Sequence, residues 1–147
     1  MRKLFQIVVV AMTVPLAASV ASCSSGSSPA SPGPLYSANS ATKVSAQELF
    51  ASYSKSKATA DKLYKGKLLE VAGAIGNVGT DPILNNAPEV MLSGGVPDRT
   101  RGVACTFDQR YASQVAQLRT GQTVAVLGIC KGFGVNVVLL RCQPAKE

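Results

Sequence analysis

The chain has 147 residues, 15 of them basic and 8 acidic, and contains neither histidine nor tryptophan. That length suits one domain and a leader rather than two domains. Without histidine there is no ordinary general base near neutral pH and no imidazole metal ligand. Most hydrolase and metalloenzyme readings therefore lose their central part, and no catalytic residue, cofactor or metal is expected.

Arg2 and Lys3 open the chain, Leu4 to Leu16 is apolar apart from Gln6 and Thr13, and Ala17 to Ser22 is mostly small. The apolar run is short for a membrane span and has the pattern of an export signal. It closes on Val20-Ala21-Ser22-Cys23, which resembles a bacterial lipobox. Small side chains let the backbone lie extended in a peptidase cleft, and the Cys23 thiol can take a thioether-linked diacylglycerol, with palmitate as a typical acyl chain. The expectation is a signal peptide over residues 1–22 and a lipid anchor at Cys23. The protein would then sit at the extracytoplasmic face of the cell membrane, or at the outer membrane of a diderm cell, which Ser24 would permit. Loss of Arg2 and Lys3 leaves 13 basic against 8 acidic residues, a net charge of +5. These charges are dispersed and form no dense block of the kind seen in nucleic-acid tails.

Residues 24–42, SSGSSPASPGPLYSANSAT, are too poor in apolar side chains to repay the entropy of ordering. With Cys23 they read as a flexible tether over 23–42, ahead of one domain over 43–147. Ser45 followed by Glu48 is a capping-box pattern. Leu49, Phe50, Tyr53, Lys57, Ala60 and Tyr64 then recur at three- and four-residue steps, which predicts an amphipathic helix from Ala46 to Leu63, ended by Gly66.

Short strands follow. Lys67 to Val78 alternates around Leu69, Val71, Gly73 and Ile75, with Gly73 and Gly76 placed for bends. Glu89–Ser93 reads as a second strand, and a third carries Val103, Cys105 and Phe107 on one face. Asp108 is placed to cap a second helix bearing Tyr111, Val115 and Leu118, which Thr120-Gly121 ends. Val124 to Cys130 and Val137 to Cys142 make the last two strands, around a Gly-rich turn at 132–136. Strand, strand, strand, helix, strand, strand is the order of an OB-fold. The fold class expected is mainly β: a five-stranded Greek-key barrel with a helix between strands three and four, preceded by an amphipathic helix.

From Ser45 to Gln143 the chain resembles the tRNA_anti-like OB-fold family of bacterial envelope proteins. The resemblance rests on Glu48-Leu49-Phe50 with Tyr53, Tyr64-Lys65-Gly66-Lys67, Val71-Ala72-Gly73 and Val103-Ala104-Cys105-Thr106-Phe107. It continues through Leu118-Arg119-Thr120-Gly121-Gln122-Thr123-Val124 with Gly128, then Val137-Val138-Leu139 with Cys142. Lys62-Leu63 beside Asp61 and a long basic loop from Gly94 to Gly102 depart from the pattern. Despite its name, the family implies no tRNA activity.

Three cysteines remain once Cys23 is assigned to lipid, and export favours one disulfide among them. A last hairpin centred on Asn136 would set Cys130 opposite Cys142, and opposed antiparallel residues lie about 4.5–5.5 Å apart, within disulfide reach. Cys130–Cys142 is the expected bond, with Cys105–Cys142 as the alternative. The three thiols lack CxxC spacing, so metal binding is not expected.

The reading that emerges is a non-catalytic OB binding or assembly module, partnered by the membrane through its anchor and by an envelope ligand or protein. Arg99, Arg101, Lys131 and Phe133 are its candidate ligand residues, suited to an anionic glycan, a lipid headgroup or an acidic protein. One alternative is a thiol-dependent redox enzyme acting through Cys105, although its spacing with Val103 and Phe107 faces it inward. The other is a nucleic-acid-binding module, disfavoured because the second strand has no aromatic side chain on which a base could stack.

Overall fold

The computed structural model describes residues 33–145. Cys23, the leader 1–22 and the tether as far as residue 32 lie outside the described residues.

The expected barrel forms. Strands β2 (Leu68–Asp81), β3 (Ala87–Ser93), β4 (Gly102–Phe107), β5 (Thr123–Phe133) and β6 (Val137–Pro144) neighbour one another in the order β2-β3-β4-β6-β5. Pairing of β5 back onto β2 closes the ring. Alternation along each strand fills the interior with Leu69, Val71, Val90, Leu92, Val103, Phe107, Val126 and Leu139. Within the barrel, strand β2 serves two partners. Leu68 to Ala74 pair with β5, Ile75 onward with β3, and the register slips between Ile75 and Asn77. Gly76 stands at that slip, as the first-strand bend required.

One face of the barrel is covered by α1 (Ala46–Lys55) and α2 (Lys57–Tyr64), where the sequence predicts a single helix. Ser45 Oγ accepts a hydrogen bond from Glu48 N at 3.1 Å, so the expected cap starts α1. The break falls at Ser56, whose backbone is extended and whose Oγ accepts from Thr59 N at 3.4 Å. A serine that caps a new helix competes with continuation of the old one. The change of direction lets Leu49, Phe50 and Tyr53 on α1, and Ala60 on α2, all bury against the barrel. Burial of a large apolar side chain contributes about 1.5–3 kcal/mol, which outweighs the backbone bond lost at the break. Phe50 packs directly on Gly94, where a Cβ would lie 2.7 Å from the ring.

After β4, Asp108 Oδ1 accepts from Arg110 N at 3.2 Å. The expected second helix is a 3-10 turn, Gln109–Tyr111, followed by one turn of α-helix, α3 (Ala112–Val115). Tyr111 and Val115 are buried and Leu118 is half-buried, as their spacing implied.

The domain begins earlier than position 43, which corrects the tether expected over 23–42 for its described part. A strand β1 (Thr42–Ser45) pairs in parallel with Leu69–Ala72. Upstream, Gln143 Oε1 accepts from the backbone N–H groups of Leu35 and Tyr36, and its Nε2 donates to Tyr36 O at 3.2 Å. The Tyr111 hydroxyl donates to Gly33 O at 2.9 Å. A buried amide must find hydrogen-bond partners, and the backbone of this segment supplies them.

Candidate functional site

Ligands of OB barrels use the face of the second and third barrel strands, here β3 and β4. Alternation turns Glu89, Met91 and Ser93 outward on β3, paired with Thr106, Ala104 and Gly102 on β4. Val138 on β6 continues the row beside Ala104. The face thus presents small and aliphatic side chains, no aromatic ring and no cation. Its one ionisable group is Glu89, whose carboxyl is pushed above the usual range by burial and by the nearby Asp81 charge. A surface for nucleic acid needs rings for stacking and cations for phosphates, and this strip has neither.

Of the four candidate ligand residues, three are exposed and one is not. Arg99 and Arg101 lie in the exposed loop between β3 and β4. Asn136, expected only as the centre of the last hairpin, ties that loop to the β5–β6 turn: its Oδ1 accepts from Gly102 N at 3.0 Å and its Nδ2 donates to Thr100 O at 3.2 Å. An asparagine in a Gly-rich turn was the only local signal for this. Lys131 is exposed on β5, beside the end of α2. Phe133, expected at an exposed ligand edge, is half-buried: its ring stacks on Tyr53 at 5.8 Å and meets the edge of Phe50 at 6.0 Å. The helix pair that precedes the barrel claims this ring, so Phe133 is a packing residue.

Around Lys131 the structure gathers further lysines. Gly66 N donates to Cys130 O at 2.8 Å and Cys130 N donates to Lys67 O at 3.1 Å, so Lys65-Gly66-Lys67 runs beside Cys130-Lys131. The stem of Lys65 lies over Gly132, where a Cβ would be 3.7 Å from Cδ and Cε. Lys62 stands three residues before Lys65, on the adjoining surface of α2. All four lysines are exposed. The ion pairs among the described residues are Lys43–Glu70 at 3.5 Å and Arg110–Asp108 at 3.0 Å, and neither engages this cluster. Sequence distance between α2 and β5 hid the grouping.

Beneath it, the Tyr53 hydroxyl and Cys130 Sγ are 3.4 Å apart, and burial, then Cys130, then Asp61 drive the phenol pKa up. Cys105, Cys130 and Cys142 are free thiols and all are buried. The hairpin does not set Cys130 against Cys142. Cys130 faces Leu139, and Leu127 pairs with Gln143, because the register slips twice along β5 and β6. Cys142 instead sits over Gly128, and burial, with the nearby Cys105 thiol, pushes its pKa up. Clefts of 310 Å³ and 150 Å³ flank β5 and β6, and no charged side chain lines either.

The family profile of tRNA_anti-like proteins matches residues 1–144. The chain belongs to the tRNA_anti-like family. Among solved structures it is similar to a chain from Klebsiella pneumoniae subsp. pneumoniae MGH 78578, described as a "putative nucleic acid-binding lipoprotein". The two are 16% identical with a TM-score of 0.58, over 74% of this chain and 94% of that one, which establishes a shared fold. No curated protein matches the chain. The tRNA_anti-like barrel here thus carries an outer face without rings or cations and a lysine cluster displaced to its helical flank. Among the described residues no helix is long and apolar enough to cross a membrane.

Proposed function

We propose that this protein is an extracytoplasmic lipoprotein, anchored through Cys23, whose OB barrel is a non-catalytic binding module for an anionic partner. The observation that carries the reading is the displacement of positive charge. Lys62, Lys65, Lys67 and Lys131 are exposed around the end of α2 and form no ion pair among the described residues, while the β3–β4 face holds only aliphatic side chains, small residues and Glu89. An anionic headgroup or glycan needs only such a cluster. The anchor reading draws support from the small residues before Cys23 and from the lipoprotein name of the Klebsiella neighbour. Catalysis through Cys105 is disfavoured by complete burial of its thiol, since a nucleophile must be reached by its substrate.

The Klebsiella chain's description makes nucleic acid the second reading. Both are tested with the chain from residue 23 onward bearing Cys23→Ser. Binding to phosphatidylglycerol-containing vesicles is compared with binding to phosphatidylcholine vesicles and to a single-stranded oligonucleotide. Joint replacement of Lys62, Lys65, Lys67 and Lys131 by Gln is expected to weaken binding to the anionic vesicles by roughly tenfold or more at low salt. Tight oligonucleotide binding that survives the replacement would favour the second reading. Mass spectrometry of the native N-terminus checks the anchor, and an unacylated Cys23 would sink it.

A further inference from the structure

The three thiols have distinct surroundings. Cys130 is engaged by the Tyr53 hydroxyl at 3.4 Å. Cys105 and Cys142 lie on β4 and β6, which pair in parallel with Cys105 opposite Leu139. Regular alternation after Leu139 would turn residue 141 inward and 142 outward. The ladder slips by one residue instead, so that Phe107 faces Cys142, and Arg141 takes up the extra length with φ +54°. A non-glycine residue in the left-handed region is uncommon and disfavoured, so the bulge is held by its surroundings. Its consequence is that Cys142 enters the core beside Cys105, in space left by Gly128, where a Cβ would stand 2.6 Å from Cys142 Sγ.

We propose that Cys105 and Cys142 are this protein's disulfide pair and that Cys130 remains a thiol, since the β4–β6 bulge turns Cys142 into the core on the strand paired with that of Cys105, while the register sets Cys130 opposite Leu139 with its sulfur on Tyr53. In the reaction each thiol loses its proton and one sulfur–sulfur bond forms. The two electrons pass to a disulfide oxidant, either an oxidised dithiol oxidoreductase or a small-molecule disulfide, which is reduced to two thiols. Both sulfurs are buried in the closed barrel, so the bond forms while β6 is still docking. In the cell the step rests on the extracytoplasmic reading, because the cytoplasm keeps such thiols reduced.

Cleavage after Arg101, Arg110, Arg119, Lys131 and Arg141 places each of the three cysteines on its own tryptic peptide. The reduced chain from residue 23, with Cys23→Ser, is refolded in a mixture of reduced and oxidised glutathione. Remaining thiols are alkylated in denaturant, and the peptides are mapped without reduction. The expected product links the peptide beginning at Gly102 to the one beginning at Cys142, with Cys130 alkylated. A bond that includes Cys130, or three alkylated cysteines, overturns the proposal. Cys130→Ala is expected to keep the bond. The same mapping on protein taken from cells separates the two claims: a pair that forms on refolding yet is reduced in the cell overturns the location and leaves the pairing standing.

Discussion

Tyr53 on α1 lies stacked on Phe133 at the end of β5, with ring centroids 5.8 Å apart and planes 15° from parallel. Phe50 and Tyr64 complete the cluster at 6.0 and 6.3 Å. The stack fastens the helix pair to the barrel, so Phe133→Ala is expected to cost about 2–4 kcal/mol of stability, as for truncation of a large packed ring. Urea unfolding measures it. Binding of anionic vesicles by the folded fraction should stay within twofold of wild type, whereas a ligand role for the ring requires a loss of affinity beyond the loss of folded protein.

Each helix of the pair has its own serine cap. Ser45→Ala and Ser56→Ala should each destabilise by about 1 kcal/mol, and their effects should add, because the two hydroxyls serve separate helix starts. Thermal unfolding of the single and double variants checks this. A silent Ser56→Ala would indicate that the chain crosses position 56 as one continuous helix.

Gln143 is the clasp that holds Leu35 and Tyr36 against the barrel. Gln143→Ala removes both halves of the clasp and leaves the Leu35 and Tyr36 backbone groups to solvent. Limited proteolysis should then cut near residues 33–40 at least several-fold faster, while the barrel core keeps its protection. Unchanged cleavage would mean that the Tyr111 hydrogen bond to Gly33 suffices alone.

Glu89 gives a pH test. Burial, and secondarily Asp81, raise its pKa in the folded protein above the unfolded value, so the folded state binds this proton more tightly. Its contribution to stability is fully present below the unfolded pKa and is lost as pH rises through the folded one. Glu89→Gln should therefore be more stable than wild type near neutral pH, with the gain vanishing below about pH 4, where both carry an uncharged group. Because the carboxyl is still partly solvated, the gain should be small. Urea midpoints measured across pH would contradict the assignment if the gain persisted in acid.

Much of this architecture is legible in the residues themselves. Ser45 with Glu48 marks a helix start, Gly73 and Gly76 mark the bends of a strand that must serve two partners, and the spacing of Val103, Cys105 and Phe107 marks an inward face. Each is a local signal, carried by residues within a few positions of one another. The candidate site was less legible. Phe133 has the sequence setting of an exposed turn residue, and nothing near it records that α1, some eighty positions earlier, will lay Tyr53 across its ring. The lysine cluster was hidden in the same way, since Lys65 and Lys131 become neighbours only through the Gly66 and Lys67 hydrogen bonds to Cys130.

By itself the sequence determined the order of elements, the caps, the apolar faces and the lipobox-like run ending at Cys23, because propensity, periodicity and side-chain chemistry act over short stretches of chain. The tertiary structure alone decided where each sulfur lies. One bulge at Arg141 and two slips along the β5–β6 ladder turn Cys142 into the core and leave Cys130 with Tyr53. A shift of one residue reverses the face of every side chain beyond it, and closure of the barrel selects that register only once all five strands are in place.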